Sequence, residues 1–131
     1  MHDEVPHILF VEDDPLLSEV TAFRLELLGY RVETVGSGED ALAAVEKQKP
    51  NVAIVDLVLP GMSGIDLIDR FASNEATSDV AVMALSIEAD TDAVQRAYNA
   101  GAQDYLVAPY DPATLEAKVE RLLDRQSTDK R

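Results

Sequence analysis

The sequence has no cysteine, no tryptophan and few basic residues, and these shortages exclude several kinds of function. Without cysteine, the chain cannot form a disulfide, a zinc–thiolate site or a thiol nucleophile. Only 11 lysine and arginine residues stand against 25 aspartate and glutamate residues, which gives a formal net charge of -14. A surface of that sign repels nucleic-acid phosphates and anionic lipids, so we expect no direct binding to nucleic acid or membranes.

Long hydrophobic runs are also absent. The longest continuous apolar stretch is residues 80–85, whereas a membrane-spanning helix needs about 20 residues. The start, Met1 to His7, is polar and acidic, so we expect no secretory signal peptide there. With 131 residues, 47% of them hydrophobic, we expect one soluble, cytoplasmic globular domain.

Short apolar segments predict the strands of a sheet. Runs without polar alternation are typical of parallel strands buried on both faces, and four such runs occur: Ile8–Val11, Val52–Val55, Val80–Leu85 and Tyr105–Val107. The segment Arg31–Val35 instead mixes charged and β-branched residues, which indicates a half-exposed edge strand.

Amphipathic stretches between these runs predict five helices. In the first, apolar residues recur at helical spacing on one face, namely at Leu16, Val20, Phe23 and Leu27. Asp14 and Pro15 begin this helix and Gly29 ends it. Apolar residues that mark the later helices include Ala41, Val45, Ile65, Ile68, Ala72, Val94, Ala97, Tyr98, Leu115, Val119 and Leu122. The strict alternation predicts a doubly wound open parallel sheet of the α/β class, with helices on both faces.

Polar residues follow the predicted strands at the edge where open α/β sheets bind ligands. Glu12 and Asp13 follow the first strand, Asp56 the third and Ser86 the fourth. Crowded carboxylates raise one another's pKa values unless a cation joins them, and carboxylates and phosphate oxygens are ligands that Mg²⁺ accepts. A carboxylate also serves as a covalent phosphoryl acceptor. The three acids therefore predict a magnesium site, whereas Asp14 is a helix cap.

Three ordered segments carry a resemblance to a known family. The segments Phe10–Pro15, Val55–Gly64 and Ala100–Tyr105 resemble the receiver domains of two-component response regulators, and the similarity extends over roughly residues 7 to 125. It implies a flavodoxin-like sheet of strand order 2-1-3-4-5. It also implies a receiver domain over residues 1–125, with residues 126–131 as a polar tail or the start of a linker.

The resemblance implies a role for each residue that matches the family motif. Asp56 matches the acceptor of the phosphoryl group. Asp13 matches the direct ligand of Mg²⁺, Glu12 the acid that reaches the metal through water, and the backbone carbonyl of Val58 the third protein ligand.

Ser86 and Tyr105 match the family's switch residues. The hydroxyl of Ser86 corresponds to the one that moves to bind the phosphoryl group, and Tyr105 to the aromatic residue that turns inward with it. Two positions depart from the pattern. The family nearly always has lysine where this chain has Ala108, and a small residue where this chain has Ile87. Both departures bear on phosphorylation and switching, not on the fold.

The resemblance also implies partners. A histidine kinase or phosphotransfer protein would supply the phosphoryl group, an output domain or effector protein would receive the signal, and a homodimer is possible. A second hypothesis is a receiver-like interaction module that works without phosphorylation. The missing lysine favours that hypothesis, and the retained Glu12, Asp13, Asp56 and Ser86 oppose it.

Two other functions fit the residues less well. The segment Gly36–Ala41 matches the dinucleotide pattern G-x-G-x-x-A, but it follows the second strand and places Glu39 and Asp40 where a pyrophosphate would bind. A turn followed by a helix cap explains it better. A phosphatase of the haloacid dehalogenase type would need a second aspartate at the position of Val58.

Overall fold

In a computed structural model that describes residues 5–129, five strands alternate with five helices. The strands are β1 (His7–Val11), β2 (Arg31–Val35), β3 (Val52–Asp56), β4 (Ala81–Ser86) and β5 (Asp104–Val107). The helices are α1 (Pro15–Leu27), α2 (Gly38–Lys47), α3 (Gly64–Ser73), α4 (Thr91–Ala100) and α5 (Pro112–Asp129). Within residues 5–129, no helix combines the length and apolar content that a bilayer span requires.

The five strands form one parallel sheet in the order β2-β1-β3-β4-β5, which confirms the predicted fold class and strand order. The chain passes from β1 to β2 on one side and then returns to β3 on the other. This reversal brings the carboxyl ends of β1 and β3 side by side, with Val11 opposite Val55, and ligands bind open α/β sheets at such a point.

Side chains of successive strand residues point to opposite faces and fill two separate cores. In β1, Leu9 and Val11 pack into the core beneath α2, α3 and α4, whereas Ile8 and Phe10 pack into the core beneath α1 and α5. Burial on both faces explains why these strands lack polar alternation. Full burial of a side chain such as Phe10 contributes about 2 kcal/mol of hydrophobic free energy.

The edge strand β2 is much less buried than β1. Arg31, Glu33 and Thr34 are exposed, and Val32 and Val35 are only partly buried. The half-exposed edge strand expected from this segment is therefore confirmed.

Helix α1 begins as predicted, but its long apolar stripe faces solvent. Asp14 caps the helix by accepting the backbone N–H groups of Leu16 and Leu17, at 3.0 and 3.3 Å. The residues that face the sheet are Ser18, Thr21 and Leu25. The apolar stripe lies on the opposite side and consists of the exposed residues Leu16, Val20, Phe23 and Leu27. Both sets have helical spacing, so the spacing alone did not determine which one contacts the sheet.

Helix α5 continues past residue 125, where the sequence placed the end of the domain. The side-chain amide of Gln126 donates hydrogen bonds to the backbone carbonyls of Asn51 and Asp79, at 2.8 and 2.9 Å. Gln126 therefore packs against the amino edge of the sheet. A tail or linker after the domain stays a prediction.

A buried carboxylate fixes α5 to β5. Asp104 is only 7% exposed, and its oxygens bind Lys118 Nζ at 2.9 Å and Arg121 Nη2 at 3.2 Å. Burial by itself would raise the pKa of Asp104, but the hydrogen bonds from Lys118, the Tyr105 N–H and Arg121 outweigh it and hold the pKa below its usual range. The ionised carboxylate therefore stabilises the folded state.

We expect Asp104→Asn to lower the free energy of unfolding by about 1–3 kcal/mol at neutral pH, because it leaves two cations without their buried partner. Since the folded-state pKa is depressed, this contribution is complete above the unfolded pKa, about 3.9, and disappears as pH falls through the folded-state pKa. Urea unfolding at pH 7 and near pH 3 measures both values. The exposed Asp69→Asn is the control, and a deficit that did not shrink in acid would contradict the assignment.

Candidate functional site

Three carboxylates meet where β1 and β3 end. Glu12 and Asp13 follow β1 directly, and Asp56 is the last residue of β3. One carboxylate oxygen from each of the three residues lies within 4.8 Å of the others. Glu12 is buried, Asp56 is half-buried and Asp13 is exposed, so the cluster extends from the protein interior to solvent. The structure thus brings together the three acids that the sequence singled out.

Glu12 is the most perturbed member of the cluster. Its Oε2 accepts the backbone N–H of Asp14 at 3.0 Å, whereas its buried Oε1 has no hydrogen-bond partner in the described part of the chain. Burial and the nearby carboxylates of Asp56 and Asp13 raise the pKa of Glu12 to about 8. At neutral pH and without a cation, its carboxyl is therefore mostly protonated.

These residues fit a hard divalent cation. Their donor atoms are all oxygens, the type that Mg²⁺ prefers, and the unpaired Oε1 of Glu12 is a buried acceptor available to a ligand. Among the residues whose side chains are described, no lysine or arginine forms an ion pair with any of the three acids. A bound cation would supply the positive charge that the surrounding protein does not.

Backbone contacts hold Asp56 in position. Its Oδ1 accepts the N–H of Val58 at 2.9 Å, which restricts rotation of the carboxylate. Gly64, the first residue of α3, packs on the same turn so closely that an added Cβ would lie 2.2 Å from the carbonyl oxygen of Asp56. Any side chain at position 64 would therefore displace the backbone of Asp56, which explains the glycine there.

Ser86 and Tyr105 are both buried, and their hydroxyl groups form hydrogen bonds with the backbone of the same residue. Ser86 Oγ accepts the N–H of Glu88 at 3.0 Å, and the Tyr105 hydroxyl donates to the carbonyl oxygen of Glu88 at 2.7 Å. The loop after β4 is therefore connected to both side chains through one residue. Sequence reasoning did not find Glu88, because it acts through backbone atoms that every residue type carries. The tyrosine ring, only 7% exposed, already lies inward.

Ala108 lies next to Ser86. Its backbone N–H donates to the carbonyl oxygen of Ser86 at 2.8 Å, and its methyl group packs beside the core under α1 and α5. A cavity of ≈ 350 Å³ with mainly apolar walls opens beside it, between α1 and the start of α5. Among the described residues that line this cavity, Arg24 is the basic one, and it binds Glu116 at 2.8 Å. Position 108 therefore contributes no charge near the acids.

Two exposed apolar side chains follow the strands β3 and β4. Val58 is 73% exposed and Ile87 is 78% exposed, and each comes one or two residues after a site residue, Asp56 or Ser86. Side chains this exposed contribute little to the core.

The glycine-containing segment after β2 forms a turn and a helix cap. Ser37 Oγ accepts the N–H of Asp40 at 3.1 Å, and the first turn of α2 carries Glu39 and Asp40. These negative charges occupy the end of the helix that a pyrophosphate would need. The geometry favours the cap over a dinucleotide site.

The sequence matches the family model of the response regulator receiver domain over residues 8–120. Among curated relatives, it is 37% identical over 122 residues to the transcriptional regulatory protein CseB of Streptomyces avermitilis, and the match covers 93% of this chain and 51% of that protein. The chain thus spans about half the length of the curated relatives it matches.

Solved structures of receiver domains have the same fold as this chain. A CheY-like response regulator receiver domain protein from Methanospirillum hungatei is 28% identical, with a TM-score of 0.90 over 96% of this chain and 99% of that one. The receiver domain of a sensor histidine kinase from Pseudomonas aeruginosa is 30% identical, with a TM-score of 0.85 over 92% and 99% of the two chains. That structure has a magnesium ion coordinated in the active-site cleft.

We expect millimolar Mg²⁺ to raise the melting temperature of this protein, because a cation that binds only the folded state stabilises it. At a concentration ten times the dissociation constant, the gain is about 1.4 kcal/mol. Thermal melts with and without Mg²⁺ measure it in the wild type, in Asp13→Ala and in the control Asp69→Ala, which changes an exposed acid on α3. Asp13→Ala should lose the shift and Asp69→Ala should keep it. Equal shifts in all three proteins would show that the metal binds elsewhere.

Proposed function

The chain belongs to the receiver-domain family of two-component response regulators, and we propose that Asp56 is its phosphoryl acceptor. We further propose that Glu12, Asp13, Asp56 and the backbone carbonyl of Val58 hold Mg²⁺ beside it. As a receiver domain, the chain is a regulatory protein and not an enzyme that turns over a separate substrate.

The observation that carries this proposal is the position of Asp56 in the carboxylate cluster. An isolated aspartate at a strand end would be a poor acceptor, because an incoming phosphoryl group is itself negatively charged. Here the half-buried Asp56 shares its site with Glu12 and Asp13, whose oxygens lie within 4.8 Å. Such a set attracts a divalent cation, and the cation makes the approach of a phosphate group favourable.

The reaction requires one bond to form and one to break. A carboxylate oxygen of Asp56 forms a bond to phosphorus as the bond from phosphorus to the donor breaks, and the leaving group keeps that electron pair. The Val58 N–H, 2.9 Å from Oδ1, holds the carboxylate in one orientation during the attack. When bound, Mg²⁺ supplies positive charge that offsets the charge of the acceptor and of the phosphoryl group.

The proposed donor is a phosphohistidine of a histidine kinase or phosphotransfer protein. The proposed receiver of the signal is an output domain or effector protein. Transcriptional regulation in the relative CseB and the fact that it is about twice as long as this chain support an output domain of that kind. With a net charge of -14, the chain itself is unsuited to DNA contact.

Ser86 and Tyr105 are the proposed switch residues. A phosphoryl group on Asp56 would compete for the hydroxyl of Ser86, which at present accepts the N–H of Glu88. Tyr105 is already inward and bound to the carbonyl of Glu88, so phosphorylation has little further change to impose on the ring. We therefore propose that the shift on phosphorylation is small.

The alternative function is an interaction module that works without phosphorylation. Ala108 is the observation that favours it, since lysine at this position would provide the cation that binds the phosphoryl oxygens. The retained carboxylate cluster favours the phosphoacceptor. The two functions differ in whether Asp56 becomes modified.

We expect the intact mass of the wild type to increase by one phosphoryl group after incubation with Mg²⁺ and acetyl phosphate. Asp56→Asn should remain unmodified, because an amide oxygen is a far weaker nucleophile than a carboxylate. Omitting Mg²⁺ should lower the initial rate of modification about tenfold, the effect of losing about 1.4 kcal/mol of transition-state stabilisation. A wild-type protein that stays unmodified with every donor, including a phosphorylated phosphotransfer protein, would establish the interaction module instead.

Ala108→Lys should enlarge the change that phosphorylation causes. An ammonium group about 4 Å from a phosphoryl oxygen gains on the order of 4 kcal/mol of Coulomb energy at an effective dielectric constant of 20, before desolvation. If the ammonium group lies closer to the phosphoryl oxygens in the switched conformation, the difference in energy shifts the equilibrium toward that conformation. NMR chemical shifts of Ser86, Glu88 and Tyr105, with and without phosphorylation, measure the change.

The control for this variant is Val107→Lys, which adds the same charge one residue earlier on a partly exposed side chain. It should leave the shifts as in the wild type. If Ala108→Lys and Val107→Lys behave alike, or if the wild type already switches fully, the missing lysine is compensated elsewhere.

A further inference from the structure

Helix α1 carries a continuous apolar stripe that nothing in residues 5–129 covers. Leu16, Val20, Phe23 and Leu27 are 69%, 52%, 59% and 66% exposed. Four large apolar side chains in a row on one solvent-facing helix differ from the single exposed residues that every surface has, and such patches mark interaction sites.

The spacing of the stripe is that of a coiled-coil seam. The intervals between its members are four, three and four residues, which places Leu16 and Phe23 at d positions and Val20 and Leu27 at a positions of a heptad. Val20 at a and Leu16 at d match the choices that favour two parallel strands, whereas Leu27 at a and Phe23 at d add apolar area without that preference.

In this heptad assignment, the face of α1 that packs on the sheet of the same domain lies away from the seam. Ser18 and Leu25 occupy f positions and Thr21 a b position, and these are the buried residues of α1. A partner helix on the seam therefore would not compete with the core.

Charges beside the seam are complementary for two parallel copies. Glu19 is at a g position and Arg24 at the e position five residues later, and in a parallel pair the g residue of one helix lies beside that e residue of the other. Symmetry supplies the contact twice. In an antiparallel pair, g residues face g residues, so Glu19 would meet Glu26 and repel it. The flanking charges thus select the parallel arrangement.

We propose that α1 pairs in parallel with α1 of a second copy of this chain, through Leu16, Val20, Phe23 and Leu27 and with ion pairs from Glu19 to Arg24 of the partner subunit. The interface is isologous, as a twofold dimer requires, because the same patch supplies both sides. Arg24 now binds Glu116, but its side chain is 43% exposed, so a residue of a second copy has access to it.

The proposed dimer is weak, because its seam is short and its two chains carry charges of the same sign. The seam from Leu16 to Leu27 is about 16 Å long at 1.5 Å per residue, so it buries less than the roughly 1,600 Å² of a standard stable interface. Two chains of charge -14 also repel each other. At an ionic strength of about 0.15 M, the screening length of about 8 Å suppresses this long-range repulsion while contacting ion pairs persist. We therefore expect a dissociation constant on the order of hundreds of micromolar, which corresponds to about 5 kcal/mol of binding free energy.

Sedimentation equilibrium tests the proposal. The chain is measured from about 10 µM to about 1 mM, because a dimer with a binding free energy of about 5 kcal/mol becomes populated in this range. The weight-average mass of the wild type should rise toward that of a dimer. Phe23→Asp should abolish the rise, and Tyr98→Asp should not, because Tyr98 is an exposed aromatic residue on α4, away from the seam. Both positions are on the surface, and unchanged circular dichroism verifies that both variants are folded.

Reversing the charges beside the seam tests whether the two helices are parallel. Glu19→Arg should weaken the dimer about threefold, the size expected from two exposed ion pairs, even though it lowers the net repulsion between the chains. Arg24→Glu should weaken it as well, and the double variant should recover relative to Arg24→Glu alone, since both lack the contact of Arg24 with Glu116. Stronger association of Glu19→Arg would overturn the parallel arrangement, because that result follows from an antiparallel pair or from net charge alone.

A wild type that stays monomeric up to about 1 mM overturns the proposal. If Phe23→Asp then slows phosphotransfer from a phosphorylated donor protein while acetyl phosphate still modifies Asp56, the stripe binds the donor and not a second copy. Phosphorylation by acetyl phosphate is independent of this surface, so failure of the dimer leaves the proposed acceptor role intact.

Discussion

The parallel sheet, buried on both faces, is the constraint on which the rest of the molecule depends. Parallel strands place all their carboxyl ends at one edge, and the reversal of strand order at β1 leaves an opening there between the helices of the two faces. Glu12, Asp13 and Asp56 occupy this opening only because β1 and β3 are neighbours in register, with Val11 opposite Val55. The chemistry of the site is thus a result of the strand order.

The site combines negative charges without a fixed positive one. In the described side chains, the acids have no ion pair with lysine or arginine, and burial with neighbouring charges raises the pKa of Glu12 to about 8. Such an arrangement is stable either with a proton on Glu12 or with a cation in the cluster. Because Ala108 supplies no ammonium group, the charge state of this site depends on the proton and the metal more than in a receiver domain with the usual lysine.

Features set by side-chain type were predictable from the sequence, and features set by backbone contacts were not. The apolar runs of β1, β3 and β4 identified strands buried on both faces, and carboxylates at strand ends identified the cluster. The apolar spacing of α1 identified a helix but not its orientation, since Thr21 and Leu25 face the sheet at the same period as the exposed stripe. The connection of Ser86 and Tyr105 through the backbone of Glu88 left no trace in residue type, and neither did the contact of Gln126 with two carbonyl groups.

The two cores on either side of the sheet affect how this sequence can change during evolution. Val11 and Phe10 belong to different cores, whose side chains lie on opposite faces of the sheet. Substitutions far apart and without shared partners have nearly additive effects on stability. A volume change beneath α1 and α5 can therefore be accommodated there, without compensating mutations beneath α2, α3 and α4. Each layer is free to diverge at its own rate, and the surface of α1 can acquire new specificity while the packing around Tyr105 stays the same.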